Sequence, residues 1–145
     1  MRLVFLFTSL MVSFISYGQI EKIIHQDFNI DRITTVDFAL SRDYTLEKWA
    51  GTTILVETKV KMESASPSVL KLAIEQGRYE ILSIEGDNKI TLKSKIEKPA
   101  LFRINNNDVI EMVEVKIMVP DEFNIENKAS ITRAEDTNSS TIKVD

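Results

Sequence analysis

The sequence predicts a mainly β protein, either an antiparallel β-sandwich or a short β-solenoid, with one short α-helix at about residues 67–76 and a signal peptide ahead of it. Three observations carry this expectation. Strand-like runs recur roughly every 8 to 12 residues with turn residues between them. The clearest run alternates apolar and charged residues with period two, the pattern of an antiparallel sheet with one wet face. The first 18 residues have the three-part layout of an export signal.

In that leader, Arg2 supplies the positive start and Leu3 to Ile15 the apolar stretch, broken only by Thr8, Ser9 and Ser13. Ser16-Tyr17-Gly18 places small residues three and one before a cut at Gln19. The apolar run is about 13 residues, short of the roughly 20 that a membrane-crossing helix needs. Gln19, Glu21 and Lys22 follow at once. The expected mature chain, 19–145, is one β-rich domain without a transmembrane segment. The sequence has no cysteine, so neither a disulfide nor a lipidated N-terminal cysteine is available. The full chain carries a net charge of −4, and loss of Arg2 with the leader makes it about −5. This acidity argues against nucleic acid as a partner.

The elements follow in order. Ile24, Phe28 and Ile30 mark a first strand near 21–30, and Val36, Phe38 and Leu40 a second. After the turn Ser41-Arg42-Asp43, Tyr44 to Trp49 is a third, ended by Ala50-Gly51. Thr53 to Met62 reads as an outer strand: Ile54, Val56, Thr58, Val60 and Met62 share one face, and Glu57, Lys59 and Lys61 the other. Ser66 and Pro67 then open the helix, Leu70, Ala73 and Ile74 form its core stripe, and Gly77 suits a left-handed C-terminal cap. Arg78 to Glu85 and Lys89 to Ile96 read as a hairpin around Gly86-Asp87-Asn88, residues that tolerate positive φ. Asn105 to Asp108 is a second polar turn. Val109 to Val119 is a long central strand with Val109, Val113, Val115, Ile117 and Val119 on one face, stopped by Pro120, which cannot donate to a ladder. Phe123 to Ile125, Ser130 to Thr132 and Thr141 to Val144 are short terminal strands.

Three stretches also resemble a known group. TTVDFALSRDYTLEKWAGTTILVET at 34–58, LAIEQGRYEI at 72–81 and VEVKIMVPDEFNIE at 113–126 are similar to adhesin-like secreted β-rich proteins of Bacteroidetes, whose function is uncharacterised. The resemblance covers most of the mature chain and implies a β-rich, adhesin-like exported domain. It makes Trp49, Gly77, Tyr79 and Pro120 packing and turn positions and supplies no catalytic residue. Longer members continue with Gly-punctuated β-repeats, whereas this chain ends at Asp145, so no long adhesive shaft is expected.

Residues fit for chemistry are sparse. With no cysteine and one histidine, His25, a nucleophile–base triad has a single option, and no G-x-S-x-G elbow exists to meet it. His25 therefore reads as a strand residue. A zinc site would need carboxylates to complete it. Calcium takes oxygen ligands, which Asp87 with Asn88, Asn105 to Asp108, and Asp136 with Asn138 offer. None has EF-hand spacing, and turns use the same residues. The sequence thus assigns no catalytic, cofactor-binding or metal-ligating residue and calls for no cofactor. Lys59 and Lys61 on one strand, and Lys89, Lys93 and Lys95 on another, would form a cationic patch if those strands shared an outer face. The plainer alternative is lysines decorating a solvated sheet and discouraging edge pairing.

The functional expectation is an exported, non-catalytic β-domain, adhesin-like or an envelope binding or scaffold protein. Its partner would be a protein or an anionic glycan at the cell envelope. Its location would be the periplasm, the outer-membrane surface or the exterior. The alternative is a small exported carboxylate-based hydrolase with two acids converging in a cleft.

Overall fold

The computed structural model describes residues 18–134, which hold eleven strands and one helix. All but the last residue of the expected leader, and the strand expected over 141–144, lie outside them. The strands are β1 (Ile20–Phe28), β2 (Thr35–Ala39), β3 (Tyr44–Trp49), β4 (Ile54–Glu63), β5 (Ile81–Glu85) and β6 (Lys89–Ser94), followed by β7 (Arg103–Ile104), β8 (Asn107–Asp108), β9 (Ile110–Pro120), β10 (Phe123–Asn124) and β11 (Ser130–Arg133). The helix α1 (Pro67–Glu75) falls between β4 and β5. Among the described residues no helix is long and apolar enough to cross a membrane.

The chain is mainly β with one short helix and mixed sheets. A four-stranded sheet has the order β1-β4-β9-β3, a five-stranded sheet the order β10-β11-β2-β6-β5, and β7-β8 is a small ribbon. The antiparallel expectation holds for most pairs but fails at two: β2 pairs with β6, and β3 with β9, in parallel. Parallel neighbours need long crossovers, and both pairs have them, with three strands and α1 between β2 and β6. An apolar-in, charged-out pattern reports one wet face, not strand direction. The same pattern made 53–62 an outer strand, yet β4 lies inside its sheet between β1 and β9. Its charged residues mark the solvent face of the sheet rather than a lateral edge.

Burial follows the alternation. Ile54, Val56, Thr58, Val60 and Met62 of β4 are all buried, and Val115, Ile117 and Val119 of β9 face the same way. One buried cluster joins both sheets: Ile54, Val56, Ile117 and Val119 from the first, and Val36, Phe38, Ile90, Leu92, Phe123 and Ile131 from the second. The far half of the same β4 face is covered differently. Val60 and Met62 pack with Leu70 and Ala73 of α1, with Tyr79, and with Val109. Of the expected helix stripe, Leu70 and Ala73 are buried, and Ile74 is half-buried at the margin. A nine-residue helix is marginal alone, so this docking holds it.

Turns place the remaining residues. Gly77 has φ +75° and closes α1 as expected. Arg78 to Glu80 continue as a turn rather than a strand, with the Glu80 N–H donating to the Gly77 carbonyl at 3.1 Å, so β5 begins only at Ile81. The β5–β6 hairpin forms, but Gly86, Asp87 and Asn88 keep negative φ. Positive φ falls instead at Ser64 (φ 61°), just after β4, and at Asn105 (φ 49°) and Asn106 (φ 63°), which join β7 to β8 in the two-residue turn with positive φ at both positions. Trp49 ends β3: its ring lies over Gly51, and its Nε1–H donates to the Thr53 carbonyl at 3.0 Å. Pro120 ends β9 opposite Trp49, and the next N–H, of Asp121, donates to the Trp49 carbonyl at 3.1 Å.

Candidate functional site

The solvent face of the four-stranded sheet carries ordered rows of charge. Strand register sets His25, Glu57, Lys116 and Thr45 side by side across β1, β4, β9 and β3. The next row is Ile23, Lys59 and Glu114, and the one after it Glu21, Lys61 and Met112. Each acid of β4 or β9 in these rows thus stands opposite a base of the other strand. His25 bonds Glu57 at 3.0 Å, and Glu21 receives Lys59 at 3.3 Å and Lys61 at 3.5 Å. An open groove of about 690 Å³ crosses this face. It is lined by Glu57, Lys59, Glu114 and Lys116 on the sheet, and by Asp43, Tyr44 and Lys128 at its border. The Lys128 ammonium stands 4.9 Å from the Tyr44 ring centre, while the Tyr44 hydroxyl donates to the Lys128 carbonyl at 2.5 Å. The groove meets β9 where β3 begins: Tyr44 pairs with Val115, so β9 residues 110–114 have a strand neighbour on the β4 side only.

The condition for a single cationic patch, that its lysines share an outer face, is not met. Lys59 and Lys61 lie on β4, whereas Lys89 and Lys93 lie on β6 of the other sheet and Lys95 just beyond it. Each also has a carboxylate: Glu21 for the first two, then Asp37 for Lys89 at 2.5 Å, Glu97 for Lys93 at 2.5 Å and Glu80 for Lys95 at 2.6 Å. The Lys89 bond, followed by one from Ser130, holds the Asp37 carboxyl below its ordinary range. Among the described residues no three His, Cys, Asp or Glu side chains gather as metal ligands. Of the oxygen-rich turns, Asp108 is bonded by Arg103 at 2.8 Å, and Asp136 with Asn138 lies outside the described residues.

One polar cluster lies inside. Glu111 sits on the inward face of β9, opposite Met62 of β4, with its side chain only 10% exposed. Arg78 grips it with two bonds: Nε to Oε1 at 2.9 Å and Nη2 to Oε2 at 2.8 Å. The Tyr79 hydroxyl donates to Oε1 at 2.6 Å, and Arg42 approaches both oxygens at 3.4 Å. Burial alone would raise the Glu111 pKa, but the Arg78 and Tyr79 bonds and the Arg42 charge outweigh it and hold the group at about 2. Burial, and then Glu111, pushes the Tyr79 phenol far above its ordinary range, and the Glu111 bond raises Arg78. Arg78 also donates to the Ala100 carbonyl at 2.8 Å and lies 5.0 Å from the Phe102 ring centre. With its lone pairs so engaged, Glu111 is a structural anchor that ties β9 to the 77–80 turn. Sequence reading missed this cluster by drawing Arg78 and Tyr79 into a strand. The available signal was parity: Glu111 is the one charged residue among the inward positions 109, 111, 113, 115, 117 and 119.

Compared with known protein families, curated proteins and solved structures, the chain matches none.

Proposed function

We propose that this protein is an exported binding domain of the cell envelope, adhesin-like or scaffolding, whose contact surface is the charged face of the four-stranded sheet. The observation that carries this reading is the groove across that face, whose acids and bases are held in fixed rows by strand register. The core shared by the two sheets supports a sandwich rather than a solenoid, a rigid platform for such a face. The export-type leader supports a site in the periplasm or beyond. Groove charges are balanced, with Lys59, Lys116 and Lys128 against Asp43, Glu57 and Glu114. A polyanion needs an excess of positive charge, so this balance favours an envelope protein over an anionic glycan. Crosslinking in intact cells tests the reading. A discrete macromolecular adduct is expected, and it should vanish in the doubly reversed variant Lys59→Glu/Lys116→Glu. Recovery of the protein only as a free monomer would overturn it.

A second reading, a small carboxylate-based hydrolase, rests on Glu57 and Glu114 lining the same groove. A glycosidase pair needs one carboxyl kept protonated, usually in apolar surroundings. Here each acid stands opposite a lysine, Glu57 by Lys116 and Glu114 by Lys59, which favours the binding reading. Turnover of polysaccharide substrates that Glu57→Gln abolishes would reverse that preference.

A further inference from the structure

The cut expected after the leader decides which residue would head the mature chain, and that residue is a glutamine. Ser16 and Gly18 stand three and one before the cut, so cleavage after Gly18 makes Gln19 the new N-terminus. The fold determines where that end lies. Strand β1 starts at Ile20, opposite Met62 of β4, so Gln19 alone separates the cut from the first strand. Gly18 and Gln19 are both exposed, and a methyl group on Gly18 would meet nothing within 4 Å. The other two glutamines are committed elsewhere. The Gln26 carboxamide donates to the Ile81 carbonyl and accepts from the Ile81 N–H, both at 3.0 Å, and Gln76 caps α1.

A glutamine at a chain end holds a nucleophile and an electrophile in one residue. Its α-amino group titrates at about 8, so part of it is neutral and nucleophilic at neutral pH. It reaches the carboxamide carbon of its own side chain without a second molecule, which removes the entropy cost of bringing two reactants together. The α-nitrogen bonds to Cδ, the bond from Cδ to Nε2 breaks, and Nε2 leaves as ammonia with the proton that the attacking amine gives up. The product is a γ-lactam, pyroglutamate, and no oxidant, reductant or water is consumed. Exposure of Gln19 leaves both groups free to meet and open to a glutaminyl cyclase.

We propose that Gln19 is a modification site, cyclised to pyroglutamate once the leader is removed. The proposal rests on the export reading of that leader. The lactam has no α-ammonium group, so the start of β1 is neutral and closed to aminopeptidases, which need a free α-amine. Protection matters at this strand. β1 is an edge, paired only with β4, and its first residue packs against the cluster of Val60, Met62, Leu70 and Ala73 that holds α1. Loss of Gln19 and then Ile20 would strip that support from the helix.

The test takes the protein from the cells that make it and reads the intact chain, because N-terminal glutamine peptides also cyclise during digestion. The expected mass is that of residues 19–145 less one ammonia. Stepwise N-terminal degradation should be blocked until a pyroglutamyl aminopeptidase removes the first residue. Gln19→Ala, which changes a residue outside β1, should show the full mass of its chain and degrade at once. Aminopeptidase should trim this variant and leave the wild type intact. Two failures are distinguishable. A chain that begins at Gln19 with a free α-amine would overturn the lactam and leave the export reading standing. A chain that keeps residues of the leader would overturn both.

Discussion

Glu111 shows how a single residue organises its surroundings. Its carboxylate accepts from Arg78 twice and from Tyr79 once, with Arg42 beyond, in a site that water barely reaches. Removing one member of a buried pair costs more than the pair contributes, because the partner is left charged and unbonded. Glu111→Gln should therefore lower stability by about 3–5 kcal/mol at neutral pH. Tyr79→Phe, which removes one bond to the carboxylate, should cost only about 1–3 kcal/mol. The pH dependence has a definite sign. Glu111 titrates at about 2 in the folded protein, against an ordinary value of 4.5. A depressed folded pKa gives stability that is fully present above the unfolded value and disappears as pH falls through the folded one. The contribution, ~3 kcal/mol, is thus expected to fade between about pH 4.5 and pH 2. Urea denaturation of both proteins across that range checks it: the gap between wild type and Glu111→Gln should narrow as pH falls. A gap that stays constant would remove Glu111 as the titrating group.

Elements were legible where side-chain parity decides the outcome. The inward set of β4 reads directly off its alternation, as does the helix between Pro67 and Gly77, because burial itself imposes the period. Pairing was less legible. The partner of β2 lies about 54 residues away in β6, and nothing in either short strand encodes which neighbour it meets or in which direction. Arg78 and Tyr79 looked like strand residues because no Gly, Pro, Asn or Asp stands between Gly77 and Ile81 to mark the turn. The charged face was half legible: the outward lysines were visible, but not the acids that register sets against them. The two demanding glycines permit a test at this scale. At Gly77, φ is +75°, while a methyl group would meet only the flexible ends of Glu80 and Lys95. Alanine there should cost about 1–2 kcal/mol, chiefly from the left-handed backbone. At Gly51 a methyl would fall 2.2 Å from the Trp49 ring, so the ring must move and its bond to Thr53 break. Gly51→Ala should shift the emission of Trp49, the sole tryptophan, whereas Gly77→Ala should leave it unchanged. Identical spectra for the two variants would refute this assignment of causes.

At the scale of the whole molecule, β4 and β9 connect the parts. Ile54 and Val56 at one end of β4 enter the core shared by the sheets, while Val60 and Met62 at the other end hold α1. Strand β9 joins β4 to β3, and its Val113 touches both buried clusters. Loss of either cluster therefore removes the support of the other, and unfolding should occur as one transition. Ile117 is fully buried at the centre of β9, where alanine would leave a cavity and cost about 3–4 kcal/mol. Two probes report on different parts: Trp49 fluorescence follows the β3–β4 turn, and hydrogen exchange at Leu70 and Ala73 follows the helix. If the clusters are coupled as the shared strands require, Ile117→Ala lowers the midpoint of both by the same amount, although Ile117 belongs to the two-sheet cluster and not to the helix cluster. A shift in the tryptophan transition with helix protection unchanged would mean that α1 and its cluster form a separate cooperative unit, and the mechanical link assigned to β4 and β9 would fail. Coupling has a functional consequence too. The proposed contact face includes β4 and β9, so a ligand that stabilises it should raise the midpoint reported by both probes.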